Sequence, residues 1–404
     1  MLRGPRHRSI PARALWGVGL LCGCGPQNPV LSLSNDPLVV PLRWIAGDEE
    51  MAWGEARAGL WWALSNLGAT PPADERALLD VEEGGEEVRF SLDLGAAGFP
   101  EARLPAVEAA LVPIRAAAAE GPVDLGRFLM ATLYEPGRYY AITGACPTVE
   151  AWRDARQASA PGLYAVTVSL LVPDERLVEL NPALLADPAR GLDALGWLAS
   201  EGEGSLVDST FTAHEFETVD VMPNGQQRFA VYDAGGALRA AGATGPAGQP
   251  GKCMWCHELS VQEGTAENPS AEGYYTYEAF VADVAAAEAR MEQVRSGTPS
   301  AILWAYETHE WAEQLTLAFL EPSPARVAQE WGLPVEAVLA LDLPTHTNAE
   351  FPGWGALYDR ADVDAADEAG PPGPATPPSD RELDPDWPLF GVEALDCAPD
   401  AGGS

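Results

Sequence analysis

The segment that most constrains this chain is Cys253-Met254-Trp255-Cys256-His257, in which two thiols stand three positions apart and an imidazole follows the second. Two thiols at this spacing can each add to one vinyl group of the same porphyrin, and the adjacent imidazole then reaches the iron from one face. The spacing Cys-x-x-Cys-His is the attachment signature of a c-type haem. We therefore predict a covalent haem c bound by Cys253, Cys256 and His257, with His257 as an axial iron ligand.

The same side chains allow two other interpretations. Cys253, Cys256 and His257 could form part of a zinc site, because thiolate and imidazole are both common zinc ligands. The two thiols could instead form a strained local disulfide. The cellular compartment helps to decide, because haem c is attached outside the cytosol.

The first residues of the chain predict export. Four arginines lie between positions 3 and 13, and an apolar stretch of nine residues, 14–22, follows them. A helix that spans a bilayer needs about 20 apolar residues, so this stretch predicts a signal peptide over residues 1–23. Export favours haem over zinc as the occupant of the cysteine motif.

The end of the apolar stretch, Leu21-Cys22-Gly23-Cys24, resembles the lipobox of bacterial lipoproteins. The resemblance implies that Cys24 receives diacylglycerol and becomes the new N-terminus. Gly25 follows, and in this class a residue other than Asp at that position implies sorting to the outer membrane. We expect a protein that is lipid-anchored in the bacterial cell envelope and faces the periplasm or the cell surface, with ordinary secretion as the alternative.

Acidic residues outnumber basic residues in this chain by more than two to one. The chain has 60 Asp and Glu against 24 Lys and Arg, a formal net charge of −36. The signal holds four of those bases and no acid, which leaves 20 bases against 60 acids, or −40. Such a charge repels nucleic acid and anionic lipid headgroups. We therefore expect membrane contact through the lipid anchor only, no nucleic acid, and a basic redox protein as the partner.

Two cysteines remain outside the signal and the motif, Cys146 and Cys397. In an oxidising compartment two such thiols can form a disulfide, which would tie the C-terminal tail to the body of the protein. The sequence leaves open whether they pair, because it gives no distance between them.

Hydropathy patterns predict an α+β fold, in which a region containing antiparallel strands precedes a helical region that packs on the haem-attachment segment. Strands are expected where apolar residues alternate or β-branched and aromatic residues concentrate. Asn224-Gly225 is a strong hairpin-turn signal. The predicted strands cover 88–94, 138–145, 163–172, 211–221 and 227–233. The predicted helices cover 48–67, 104–120, 280–294 and 304–319, and a pair of helices around Gly332 covers 324–341.

These patterns divide the chain into six regions. They are the signal peptide at 1–23, a tether at 24–41, an α+β domain at 42–200, a hairpin and haem-attachment segment at 201–262, a helical region at 263–360, and a Pro-rich acidic tail at 361–404.

The second axial position of the iron separates electron transfer from catalysis, because an imidazole or thioether ligand closes the site. The candidates for that ligand are His309 in a helix, His346 in an irregular segment, His214 in the strand before the hairpin, and Met222 at the turn. Met291 lies in an apolar helical stripe, which favours a role in the core. An open or water-bound iron is the alternative, and it would admit peroxide or small nitrogen compounds.

The order of strands followed by the attachment motif resembles a small β-rich family of c-type haem proteins that oxidises hydroxylamine. That family carries a lysine cross-link to its porphyrin upstream of the motif. Here the one lysine of the chain is Lys252, directly beside the motif. The resemblance therefore implies only the placement of the motif after a sheet, and the cross-link is not carried over.

Together these features predict a single-haem, cytochrome c-like lipoprotein for electron transfer at the periplasm or outer membrane. A haem peroxidase or small-molecule oxidase with an open distal site is the alternative from the enzyme class. An exported structural module that holds zinc with the same cysteines and histidine is the alternative from the structural class. The sequence leaves open whether the protein is an enzyme.

Overall fold

The computed structural model describes residues 34–46, 51–72, 74–85, 87–118, 121–156, 163–168, 175–180, 195–204, 210–240, 253–254, 257, 276–297, 306–349 and 351–367. The chain divides into two compact units, Met1–Val30 and Leu31–Ser404, and the described residues all belong to the second. Sheets in the N-terminal and middle parts of this unit precede C-terminal helices, so the predicted α+β class is confirmed.

The first sheet has four strands in the order β2-β3-β1-β4: β1 (Val39–Ile45), β2 (Leu78–Glu83), β3 (Glu87–Asp93) and β4 (Val123–Asp124). β1 pairs antiparallel with β3 and parallel with β4. The predicted strand at β3 is confirmed, and its alternating apolar residues Val88, Phe90 and Leu92 are buried. β1 begins at Val39, within the range predicted as a tether, because nearly all of its side chains are buried and belong to the core.

The second sheet is an antiparallel meander of six strands. In chain order these are β5 (Leu163–Val168), β6 (Glu175–Leu180), β7 (Gly196–Glu203), β8 (Thr212–Val221), β9 (Gln227–Asp233) and β10 (Leu238–Arg239). The predicted hairpin is confirmed: β8 and β9 pair from Glu215↔Asp233 to Val221↔Gln227. The second sheet therefore supplies most of the antiparallel pairing of the fold.

The described helices surround these sheets. They are α1 (Trp53–Asn66), α2 (Leu104–Ala118), α3 (Leu125–Leu129), α4 (Pro136–Thr143), α5 (Val149–Ala155), α6 (Tyr277–Gly297), α7 (Tyr306–Leu320), α8 (Pro324–Trp331), α9 (Val335–Leu339) and α10 (Arg360–Asp367). Within the described ranges, no helix is both long enough and apolar enough to cross a membrane.

The prediction of a strand over 138–145 is wrong, because most of these residues form α4. The Glu135 side chain caps the helix by accepting hydrogen bonds from two backbone N–H groups of its first turn, and Pro136 occupies the first helical position. Gly144 ends the helix in the left-handed conformation, with a φ of 71°. These signals at both ends favour a helix over the strand propensity of the aromatic residues between them.

The apolar helical stripe predicted around Met291 is confirmed in α6. One face of α6 packs on the second sheet, where Met291 is fully buried, in agreement with its predicted core role. α10 forms the beginning of the segment predicted as a Pro-rich acidic tail. It is held to the protein because its Val363 is buried in one cluster with Val338 of α9. The rest of the predicted tail lies outside the described residues.

A buried carboxylate joins the second sheet to α4 and α5. Asp220 in β8 lies 2.7 Å from a guanidinium nitrogen of both Arg156 and Arg228, and it accepts a 2.9 Å hydrogen bond from the indole of Trp152. Arg228 also donates to the carbonyl of Thr143, the last residue of α4, at 2.6 Å. Burial alone would raise the pKa of Asp220, but the two guanidinium groups lower it below its usual value.

A second buried cluster joins the C-terminal helices to the first sheet. Glu330 of α8 accepts two hydrogen bonds from Arg360 of α10, at 2.8 and 2.9 Å, and one from Arg326 at 3.1 Å. Arg326 also donates to Asp124 of β4 at 2.7 Å. Burial alone would raise the pKa of Glu330, but Arg360 and Arg326 hold it well below its usual range. The cluster thus connects distant parts of the chain through ionised groups.

Replacing the buried carboxylate should be costly. Asp220→Asn should lower the free energy of unfolding by about 3–5 kcal/mol, because it leaves two buried guanidinium groups without their counter-ion. The difference from wild type should be complete above the ordinary aspartate pKa of about 3.9 and shrink as the pH falls further, since the folded-state pKa is lowered. Urea unfolding followed by circular dichroism at several pH values measures both effects.

Glu75→Gln is the matched control, because Glu75 pairs with Arg57 at 2.9 Å in a position where both side chains are about one third exposed. This variant should lose less than about 1 kcal/mol. Equal losses in the two variants would contradict a special role for the buried cluster.

Candidate cofactor-attachment site

The described part of the cysteine motif has helical backbone at Cys253, Met254 and His257. The Cys253 thiol lies near the Tyr139 hydroxyl, and the His257 imidazole packs on the ring of Phe229. Both side chains therefore lie beside the same part of the core, because Tyr139 and Phe229 are hydrogen-bonded to each other. Met254 is only 1% exposed and belongs to the main core, whereas Cys253 and His257 are partly exposed. Met254 thus anchors the segment in the main core, and the partly exposed Cys253 packs at the edge of the same core.

The His257 imidazole packs against the phenyl ring of Phe229. The two ring centroids are 5.8 Å apart and the ring planes are inclined by 39°, which is within the usual range for aromatic contacts. Phe229 lies in β9 and is 3% exposed. The Nδ1 atom of His257 is buried. The sheet thus provides a rigid apolar surface directly beside the imidazole.

Two tyrosines of α4 lie along the same strand. The Tyr139 hydroxyl accepts a 3.1 Å hydrogen bond from the Phe229 backbone N–H, and the Tyr140 hydroxyl accepts one from Val231 at 3.3 Å. The Tyr140 hydroxyl also donates to the carbonyl of Arg239 at 2.7 Å. These hydroxyl groups satisfy backbone groups along the edge of β9, so α4 is fixed to the strand that contacts His257.

Burial raises the pKa of Tyr139 and Tyr140 well above the usual tyrosine value, and burial likewise raises that of Tyr232 in β9. The Cys253 thiol lies close enough to Tyr139 and Tyr140 to add to the rise in their pKa when it carries charge. All three phenols are therefore neutral at ordinary pH. The surroundings of Cys253 are aromatic and uncharged on this side.

Two of the candidates for a second iron ligand lie on the β8–β9 hairpin. His214 is half-exposed and lies near Glu203. It is five residues along β8 from Val219, and Val219 is the register partner of Phe229. That separation corresponds to roughly 17 Å, at about 3.4 Å per residue. Met222 follows β8 at the hairpin turn, is 2% exposed, and has its sulfur near Gly68.

The other two candidates lie in the C-terminal helical part. His346 forms a backbone bridge with Leu357, and its Nε2 is 3.4 Å from a carboxylate oxygen of Glu321. His309 lies within α7, and its side chain is outside the described part of the structure. The structure thus brings Cys253 and His257 to the same part of the core, beside α4 and β9, and places the four ligand candidates elsewhere.

The remaining cysteine predictions fall largely outside the described residues. Cys146 is buried, with its sulfur 4.0 Å from a guanidinium nitrogen of Arg156. Cys397, Cys256 and Cys24 lie outside the described ranges. The pairing of Cys146 with Cys397 and the lipidation of Cys24 therefore stay predictions.

The structure also shows an acidic cluster that the sequence analysis did not predict. Carboxylate oxygens of Glu201, Glu215 and Glu217 all lie within 4.8 Å of one another. Glu201 of β7 is directly opposite Glu215 of β8, and Glu217 is two residues further along the same strand face. Carboxylate oxygens suit hard cations such as Ca²⁺ or Mn²⁺. The sequence shows that Glu215 and Glu217 alternate along one face of a strand. Their proximity to Glu201 depends on the strand register, which the sequence does not show.

Neither protein-family models, nor curated proteins, nor solved structures match this chain. The residues that can indicate a function are therefore those of the chain itself. Chief among them are Cys253 and His257 and the buried aromatic residues beside them, Phe229, Tyr139 and Tyr140.

The buried tyrosines predict a loss of stability in alkali. Because the pKa values of Tyr139, Tyr140 and Tyr232 are raised by folding, the folded state keeps protons that the unfolded state releases above pH about 10. The free energy of unfolding should therefore fall as pH rises beyond that value, by up to ~4 kcal/mol per pH unit for three groups. Urea unfolding in an alkaline pH series measures this slope.

Tyr232→Phe removes one of the three groups and should reduce the slope by ~1.4 kcal/mol per pH unit. Tyrosinate absorbance of the folded protein should also account for fewer than its ten tyrosines at pH values where an exposed tyrosine ionises. Ionisation of all ten without unfolding would contradict the burial argument.

Proposed function

We propose that Cys253, Cys256 and His257 bind one covalent haem c, and that the protein is an exported, lipid-anchored electron-transfer protein. The observation that carries the proposal is that Cys253 and His257 lie beside the same buried aromatic residues, the thiol near Tyr139 and the imidazole against Phe229. A thiol three positions after Cys253 completes the spacing that haem attachment requires. When bound, the haem supplies a redox-active iron.

The surroundings of the turn suit a porphyrin better than a structural zinc ion. Zinc sites are small tetrahedral clusters of thiolate and imidazole ligands, whereas a porphyrin needs a broad apolar contact surface. Phe229, Tyr139 and Tyr140 make the interior beside Cys253 and His257 aromatic and uncharged, with no further thiolate or imidazole among these three side chains. In the proposed site the His257 imidazole binds the iron, the cysteines hold the porphyrin edge, and the aromatic side chains exclude water.

The electron-transfer role is favoured by charge. The chain carries a formal net charge of −36, and such a charge attracts a basic partner protein at long range and speeds its association. The partner that this surface fits is therefore a basic redox protein of the same compartment. A haem enzyme with an open distal site is the competing outcome of the experiment below.

The haem proposal is tested by producing the protein in a host with haem-attachment machinery. The wild type should give one haem per chain in a pyridine haemochrome assay and a haem-stained band on a denaturing gel, because the thioether bonds survive denaturation. Cys256→Ser should abolish or strongly weaken the band. Cys146→Ser is the matched control, since it removes a buried thiol outside the motif and should leave haem content unchanged.

A colourless wild type that contains stoichiometric zinc would overturn the haem proposal in favour of the structural module. In the haem-bound protein, a ferrous spectrum that is low-spin and insensitive to carbon monoxide would identify an electron-transfer site with two axial ligands. Replacing His309, His346, His214 and Met222 in turn would then identify the second ligand. Rapid carbon monoxide binding with peroxide turnover would instead identify the enzyme.

The lipid anchor is a separate proposal, supported by the arginines and the apolar stretch that precede Cys24. Cys24→Ala should prevent labelling with a palmitate analogue and move the protein from the membrane fraction to the soluble fraction. Cys22→Ala, in the same segment, should leave both labelling and fractionation unchanged. A wild type that carries no lipid and fractionates like Cys24→Ala would mean ordinary secretion.

A further inference from the structure

We propose that Phe229 is a positioning residue that fixes the plane of the His257 imidazole, an inference that rests on the proposed haem function. The contact between the two rings, at 5.8 Å and 39°, is direct. An axial imidazole can rotate about the bond to its own Cβ, and its plane relative to the porphyrin affects the electronic state of the iron. A rigid neighbour on one face of the ring limits that rotation.

Phe229 is rigid because both its backbone and its side chain are held. It lies in β9, where Val219 of β8 is its register partner. Its backbone N–H points away from β8 and donates a hydrogen bond to the Tyr139 hydroxyl, with an N···O distance of 3.1 Å. Its side chain is 3% exposed and belongs to the main core. The ring therefore cannot move away from His257 without disturbing a sheet and a helix.

Tyr139 acts through Phe229. It is fully buried in α4, and its hydroxyl is the acceptor that fixes the Phe229 backbone. The neighbouring residue in β9, Arg228, donates to the carbonyl of Thr143 at the end of the same helix. Two successive residues of β9 are thus connected to α4, one by a hydroxyl and one by a guanidinium group. Groups beyond the direct ligands commonly orient a metal-bound histidine in this way.

The arrangement also determines how much water reaches the imidazole. A phenyl ring beside the axial ligand keeps that side of the iron site apolar, and burial is one of the means by which a protein sets a haem potential. A smaller side chain at position 229 would admit water, which favours the more highly charged ferric state. The expected change is therefore a lower reduction potential together with a less well-defined imidazole plane.

The test compares haem-bound Phe229→Leu, Phe229→Ala and Phe229→Tyr with the wild type. Phe229→Leu keeps an apolar side chain but loses the flat ring, so the largest ferric EPR g value should shift by more than its linewidth, and the NMR spread of the haem methyl groups should change. Phe229→Ala should show the same changes with a lowered potential. Phe229→Tyr keeps the ring and should restore wild-type spectra.

Phe90→Leu is the matched control, because Phe90 is another buried strand phenylalanine in contact with an aromatic ring, that of Trp53 at 5.1 Å. It should lower stability without changing the EPR or NMR spectra of the haem. Tyr139→Phe removes only the hydroxyl beneath Phe229, and it should give a smaller shift in the same direction as Phe229→Leu. This variant keeps the inference testable if Phe229→Ala does not fold.

The outcomes separate this inference from the function on which it rests. If the wild type binds no haem, both the positioning role of Phe229 and the proposed haem function are wrong. A haem-bound Phe229→Leu protein with wild-type EPR, NMR and potential would overturn the positioning role and leave the haem function intact. Equal spectral shifts in Phe229→Leu and Phe90→Leu would also overturn it, since they would reflect general loosening of the core.

Discussion

The carboxylate of Asp220, enclosed between two guanidinium groups, is the interaction on which the arrangement around β9 depends. Its single negative charge faces the positive charges of Arg156 and Arg228. The excess positive charge is offset at the C-terminus of α4, where Arg228 donates to the backbone carbonyls of Thr143 and Gly144. Because Arg228 immediately precedes Phe229, the same cluster sets the position of the strand beside His257.

Much of the fold was predictable because one-sided burial leaves a periodic trace in the sequence. β3, the β8–β9 hairpin and α6 all show it, and the structure confirms them. The predicted strand at α4 is wrong because the aromatic residues of this segment favour a strand, whereas the end signals at Glu135 and Gly144 determine a helix. The pairing of β1 with β4 was not predictable, since a two-residue strand carries no period and its partner lies far away in the chain.

The candidate site divides along the same line. Cys253, Cys256 and His257 are recognisable in the sequence because the proposed haem attachment depends only on their local spacing. Phe229 and Tyr139 precede His257 by 28 and 118 positions, and only the packing of β9 against α4 brings them to it. A short motif can therefore predict a cofactor from the sequence, whereas the residues that would surround that cofactor are identified only from the folded structure.

The burial of Met254 has a consequence for the biosynthesis of a chain that takes haem on this turn. In that case a maturation enzyme would have to reach both thiols before Met254 is buried in the core, where it is 1% exposed. Attachment and docking then compete in time. The six-stranded meander pairs consecutive strands, but these contacts still join residues further apart in sequence than the contacts within a helix, so it forms slowly by comparison with helices. If the chain binds haem as proposed, a slow sheet would extend the interval in which the nascent protein can receive it.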